Sequence, residues 1–234
     1  MSSRDLGQNG PLALAFHTVV TGFIAAPLVV VMLVSLSDKE YLSMPFDGIS
    51  LRWYREILAA PELISAFWLS IWLGLAAATI ASVVAVPAAI AIARHRFIGR
   101  DGLMAFLMSP LMIPHVVLGV AFLRFFSIME WTGSFVALVL VHAITVVPYS
   151  LRLTLAAVIG LERDAEAAAR SLGASRFVIF RRILLPLILP GVLAGWILAF
   201  IQSFDEVTMT IFVATPGTMT LPVALYNRIS QLTD

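Results

Sequence analysis

Few residues in this chain could do chemistry, and they are scattered. His17, His95, His115 and His142 fall one to a segment, cysteine is absent, and Lys39 is the sole lysine. Without a Gly-x-x-x-x-Gly-Lys-Ser/Thr loop to cradle phosphates, the chain is not expected to hydrolyse ATP. No His-Glu-x-x-His pair offers a zinc site and no convergent nucleophile set is evident, so neither catalysis nor a metal on this chain is expected. What remains is a small group of polar residues in or beside apolar runs. His115 follows Pro114, and His142 lies in the next run. Polar groups in such surroundings are costly; they serve as interhelical hydrogen-bond glue or line a solute path. Asp205 and Glu206 end a further run, where they can be solvated, close a helix-end ion pair or attract a cationic solute.

The second concentration of chemistry is a polar, Arg-rich island at 162–186 between two apolar runs. On a helix starting near Glu162, Ala165, Ala168, Ala169 and Leu172 form a narrow apolar stripe. Its small side chains would let another protein approach the backbone closely. Glu166 precedes Arg170 by one helical turn, the favourable order for an exposed pair. Gly173 can take a positive φ and end that helix, and Ser175 can cap the next. Pro186 closes the island where the apolar sequence resumes.

The elements that must position these residues are membrane helices. Hydrophobic residues make up 60% of the 234 and charged residues 12%, with a mean hydropathy of +0.97. A soluble domain keeps about a quarter of its residues charged. The formal net charge is +1, which by itself says nothing about nucleic acid, but the basic residues form no binding stripe and no nucleic-acid partner is expected. Five runs are long enough to cross a bilayer core of about 30 Å as helices: 12–36, 66–93, 103–126, 133–151 and 187–204. None alternates as a barrel strand would, and helix is the form that satisfies its own backbone in lipid. The first run exceeds the core of about 7–15 residues of a signal peptide and is read as a retained span. Pro27, Pro87, Pro110, Pro114, Pro148 and Pro190 fall within the runs and predict kinks.

Arginine sets the orientation. Arg94, Arg96 and Arg100 follow the second run, and Arg152, Arg163, Arg170, Arg176, Arg181 and Arg182 follow the fourth. The loop after the first run balances Lys39, Arg52 and Arg55 with Asp38, Glu40, Asp47, Glu56 and Glu62. The N-terminus and both Arg-rich loops are therefore expected in the cytoplasm, and the 39–65 loop outside.

The island resembles the EAA loop of the membrane subunits of type I ATP-binding-cassette importers, with Gly173, Ile183, Leu185 and Pro186 at the family's relative positions. Counted back from Gly173, the motif glutamate position holds Ala167, and Glu166 stands one residue earlier; Ala168 and Ala169 complete the motif. Ser50-Leu-Arg-Trp-Tyr-Arg-Glu-Ile-Leu58, Pro148-Tyr-Ser-Leu-Arg152, Ser203-Phe-Asp-Glu-Val207 and Leu221-Pro222 resemble the second permease of spermidine/putrescine-type importers. The resemblance implies an all-α, polytopic inner-membrane permease, with 1–234 a single transmembrane domain and 162–186 its cytoplasmic coupling loop. It implies that Glu166, Ala168, Ala169, Gly173, Ile183, Leu185 and Pro186 couple to an ATPase dimer on other chains, which would carry the ATP and magnesium. A second permease subunit, alike or homologous, and an external solute-binding protein are the other implied partners. His115, His142, Asp205 and Glu206 are then candidates for the solute path or for contact with the binding protein. The family has six spans, so the chain is expected to continue beyond Asp234. The competing class, a self-contained channel or secondary carrier, calls for mid-span charges, an internal repeat or a filter-like Gly loop, and none is evident.

Overall fold

The computed structural model describes residues 10–38 and 48–233; Lys39, Glu40 and Asp47 of the balanced outer loop lie outside the described residues. The chain divides into two compact units, 1–64 and 65–234. In the first, α1 (Pro11–Val34) is apolar on every side and buries none of its residues, as suits a helix surrounded by lipid. Pro27 sits inside it without ending it. The short α2 (Arg52–Leu58) belongs to the stretch that carried part of the family resemblance. Trp53 Nε1 donates to the Ser37 carbonyl at 3.0 Å, the Ser35 and Tyr54 hydroxyls meet at 2.8 Å, and Arg52 pairs with Glu56 one turn on. The first two bonds tie α2 to the end of α1, and the third lies within α2.

The second unit is organised around three long helices. α3 (Pro61–Arg94) runs for 34 residues through Pro87. α6 (Phe135–Ile159) and α9 (Leu185–Phe204) form the most extensive helix pairing. The glycines of Gly191-Val-Leu-Ala-Gly195 explain how closely α6 and α9 approach. A Cβ on Gly191 would overlap the Ala157 methyl, and one on Gly195 would stand 2.9 Å from the Ser150 carbonyl oxygen. In lipid, where helices gain no hydrophobic drive from one another, such small-residue contacts supply the dispersion and hydrogen bonding that hold a bundle. α3 contributes Ala77, Ala78, Ala81, Ala85 and Ala89, all fully buried. Ser82 and Ser150 hydrogen-bond across α3 and α6 at 3.1 Å.

The third expected span is not one helix. α4 (Arg100–Met108) and a 3₁₀ turn to Leu111 are followed by α5 (His115–Ile128), and the two parts bend by 97° at the break. Pro110 and Pro114, where kinks were expected, explain the break. Pro114 has no amide to continue the ladder, and it pushes Ile113 out of the helical region. The described residues thus hold four helices able to cross a membrane by length and composition, or five if the bent pair is one span.

After α6 the polar island forms α7 (Asp164–Ser171) and α8 (Arg176–Ile179). A π-helical turn at Phe180–Leu184 joins α8 to α9, so that Arg176–Phe204 is a single apolar rod. Pro186 supplies a reason for the wide turn, since it cannot donate to the carbonyl one turn earlier. Beyond α9, α10 (Thr210–Val213) and α11 (Leu221–Thr233) complete the described chain.

Candidate functional site

The residues expected to form a coupling loop fold into two short helices joined by a tight turn. α7 ends at Gly173, whose φ of +82° is natural only to glycine. The Ala174 amide returns to the Ala169 carbonyl and the Gly173 amide to the Arg170 carbonyl, each at 3.0 Å. That crossed pair satisfies the orphan carbonyls of a helix end. Ser175 then accepts the Val178 amide through its side chain and opens α8. Of the alanine stripe, Ala165 and Ala168 are exposed and Ala169 half-buried, while Leu172 is 88% exposed. Phe177, 68% exposed, extends this apolar surface onto α8. Ile183 and Leu185 are half-buried at the π turn, and Pro186 is exposed at the start of α9.

Glu166 does not join that surface. It turns inward to Arg94 at the end of α3, with Nη2 to Oε1 at 3.1 Å, and both side chains are largely buried. The contact is an ion pair without hydrogen-bond alignment, since Oε1 and the Arg94 Nε both lack a hydrogen-bond partner. Arg170 reaches the other carboxylate oxygen only at 3.9 Å. Two backbone ties reinforce the junction: Arg94 donates to the Leu161 carbonyl at 3.2 Å and Arg163 to the Ala93 carbonyl at 3.1 Å. Sequence reasoning gave Arg94 only a role in orientation.

At the opposite end, two of the scattered candidates meet. His115 Nδ1 and Glu206 Oε2 lie 2.7 Å apart, and the second oxygen of Glu206 accepts the Met209 amide at 2.7 Å. Glu206 therefore ties the start of α5 to the turn after α9. Asp205 is exposed and has no ion-pair partner among the described residues. His142 is fully enclosed; its ring nitrogens bond to the Ser203 hydroxyl at 2.9 Å and the Thr210 hydroxyl at 3.0 Å. It joins α6, α9 and α10. Leu73, Leu138, Val141 and Met209 pack in the same region.

A mostly apolar cavity of about 700 Å³ opens beside α3 and α9, lined among others by Thr79, Ser82, Pro87 and Trp196. Trp196 donates to the Thr79 hydroxyl at 3.1 Å and stacks on Phe200, with ring centres 5.9 Å apart; Phe204 continues the column. No spacing rule singled out these aromatics, because an aromatic at each turn of an apolar helix reads as ordinary lining.

Residues 85–233, more than half of the chain, match the family described as "Binding-protein-dependent transport system inner membrane component". The chain is 31% identical over 215 residues to the spermidine/putrescine transport system permease protein PotC of Haemophilus influenzae, covering 92% of this chain and 83% of that protein. It is 30% identical over 214 residues to the putrescine transport system permease protein PotI of Escherichia coli (strain K12), covering 88% and 76%. Among solved structures, a bacterial ABC transporter involved in alginate import superposes with a TM-score of 0.74 at 15% identity, over 94% of this chain and 80% of that one. The MetNI methionine ABC transporter superposes at 0.59 with 19% identity, over 70% and 79%. At those identities the structures speak for the fold, and the family match and the two permeases speak for the role. Family membership brings an ATPase and a solute-binding protein as working partners. This chain belongs to the inner-membrane component family of binding-protein-dependent transport systems, as a permease subunit of an ABC importer.

Proposed function

We propose that the chain forms half of a membrane path for a small organic cation of the polyamine type, and that a second permease subunit supplies the other half. The ATPase is a pair of separate subunits that hold ATP and magnesium. Their closure moves the surface made by Ala165, Ala168, Leu172 and Phe177, and the loop passes that movement to the spans.

The observation that carries this reading is the unbroken rod Arg176–Phe204, which includes α8 of the loop and the whole of α9. A lever needs a rigid arm, and here the arm at the partner surface is continuous with a wall of the bundle. The spans then exchange between two packings, inward-open and outward-open. A cationic solute agrees with three features: Asp205, without an ion-pair partner among the described residues, the aromatic column Trp196–Phe200–Phe204, and the relatives named for polyamines. Aromatic faces attract ammonium groups by about 0.5–2 kcal/mol depending on desolvation.

The test is uptake into vesicles carrying the complete transporter, with the binding protein supplied outside and ATP inside. Labelled spermidine and putrescine should enter only with ATP, and Trp196→Leu should slow entry while the subunit still assembles. Entry without ATP or ATPase would assign the chain to the channel or carrier class. Exclusion of both polyamines, with uptake of an anionic or neutral solute, would overturn the cation.

A further inference from the structure

The cytoplasmic ends of α3 and α4 build a cavity that the transport reading does not use. It measures about 460 Å³ and is lined by Arg94, His95, Arg96, Arg100 and Arg163. A second cavity, of about 450 Å³, wraps the start of α4 and shares Arg96 and Arg100. α4 begins after Gly99 with no side-chain cap, so its first-turn amides are left without a side-chain acceptor.

Three of these arginines are held in place by backbone carbonyls. Arg94 donates to Leu161, Arg163 to Ala93, and Arg100 through Nε to Ile92 at 2.7 Å. A guanidinium has five N–H donors in a fixed fork, so each retains donors beyond those bonds. Arg94 Nε is buried and has no hydrogen-bond partner. Arg96 has no ion-pair partner among the described residues. Among the residues lining the two cavities the one carboxylate is Asp101, at the start of α4, and Glu166 is engaged with Arg94. Four guanidinium groups thus converge with donors unspent, against a single carboxylate in the lining. The group this arrangement fits is a phosphate, whose oxygens accept forked donors.

Two further features select the source of that phosphate. At 34 residues and 1.5 Å per residue, α3 is about 50 Å long, against a hydrocarbon core of about 30 Å. Its arginine end therefore reaches the headgroup layer. Between Arg96 and Gly99 the chain presents Phe97, 40% exposed, and Ile98, fully exposed. An apolar pair at the tip of a basic turn gains nothing from water and is stabilised among acyl chains.

We propose that this cavity binds the phosphate headgroup of an anionic lipid of the cytoplasmic leaflet, with Arg96 and Arg100 as its ligands and Arg94 and Arg163 completing the cradle. Because Arg94 and Arg163 also fasten the coupling loop to α3, a bound headgroup braces the junction through which the loop acts.

The experiment uses the full chain in nanodiscs and in neutral detergent. Titration with phosphatidylglycerol should raise its melting temperature and yield lipid adducts by native mass spectrometry, whereas phosphatidylcholine should do neither. Each arginine removed should weaken lipid binding by about fivefold, the value of one basic residue at an anionic surface. R96Q is the primary variant because Arg96 anchors no backbone group, and R96Q/R100Q deepens the loss. R181Q/R182Q, which removes two exposed arginines outside both cavities, should leave binding unchanged. Equal binding of the two lipids, or equal loss in R181Q/R182Q, would overturn the site. Inorganic phosphate that saturates the cavity and displaces phosphatidylglycerol at millimolar concentration would retain the phosphate chemistry and overturn the lipid source.

Discussion

His115 and Glu206, separated by 91 residues, meet at 2.7 Å at the end of the second unit away from the Arg-rich loops. One sits at the first turn after the break in the third apolar run and the other just beyond α9. The same carboxylate accepts the Met209 amide, so a single side chain holds three pieces of backbone in register. Asp205, its neighbour, holds none.

That division yields the first prediction. Glu206→Ala should strand the Met209 amide and release His115, costing about 1–3 kcal/mol and lowering the melting temperature in detergent. Asp205→Asn should stay within about 0.5 kcal/mol of the parent yet reduce uptake of a cationic solute. Equal melting losses for the two variants would remove the distinction.

The approach of α6 to α9 makes the second. Gly195→Ala places a methyl against the Ser150 carbonyl and Gly191→Ala one against Ala157; overpacking of this kind costs about 1–3 kcal/mol. Gly22→Ala on α1, where a Cβ meets nothing within 4 Å, should be neutral or slightly stabilising. Thermal unfolding of the three side by side is the check, and a neutral Gly195→Ala would contradict the packing.

The loop proposed to couple separates backbone from charge. Gly173→Val faces open space, so its cost is confined to the backbone at positive φ, about 1–3 kcal/mol. It should lower solute-stimulated ATP hydrolysis in the reconstituted complex while the subunit still inserts. Glu166→Gln and Arg94→Gln should prove non-additive, with a coupling of about 0.5–3 kcal/mol in a double-mutant cycle. Strict additivity would show that the ion pair does not fasten the loop.

Sidedness follows from arginine placement and can be read by chemistry, because no native cysteine competes. A cysteine at Ser175 should react with an impermeant thiol reagent only when the cytoplasmic face is open, and one at Gly48 should react in intact cells. Reversal of either pattern would invert the orientation.

How much of this was legible in the sequence depended on range. Gly173 and Ser175 announced a helix end and a helix start because both signals are local, carried by one residue's φ and one hydroxyl. The runs at 12–36, 66–93 and 187–204 announced membrane helices because hydropathy sums over neighbours. The run at 103–126 announced an apolar stretch and, through Pro110 and Pro114, a kink in it; the size of the bend, 97°, was not legible in the residue types. The meeting of His115 with Glu206 and the inward turn of Glu166 to Arg94 were not legible at all. Both depend on which helix faces are neighbours, and a long apolar helix gives no azimuth away, since nearly every face is greasy.

The wide turn at Phe180–Leu184 bears on that azimuth. An α-helix advances by about 100° per residue, so accommodating one extra residue in a single turn carries everything upstream round by about that angle. The π turn therefore acts as a vernier between cytoplasm and membrane. The direction in which α8 presents Phe177 and the direction in which α9 presents Gly191 and Gly195 to α6 are set separately along one rod. Residues could thus change at the outward-facing patch without rotating the glycine seam, and the seam could tighten without turning the patch away.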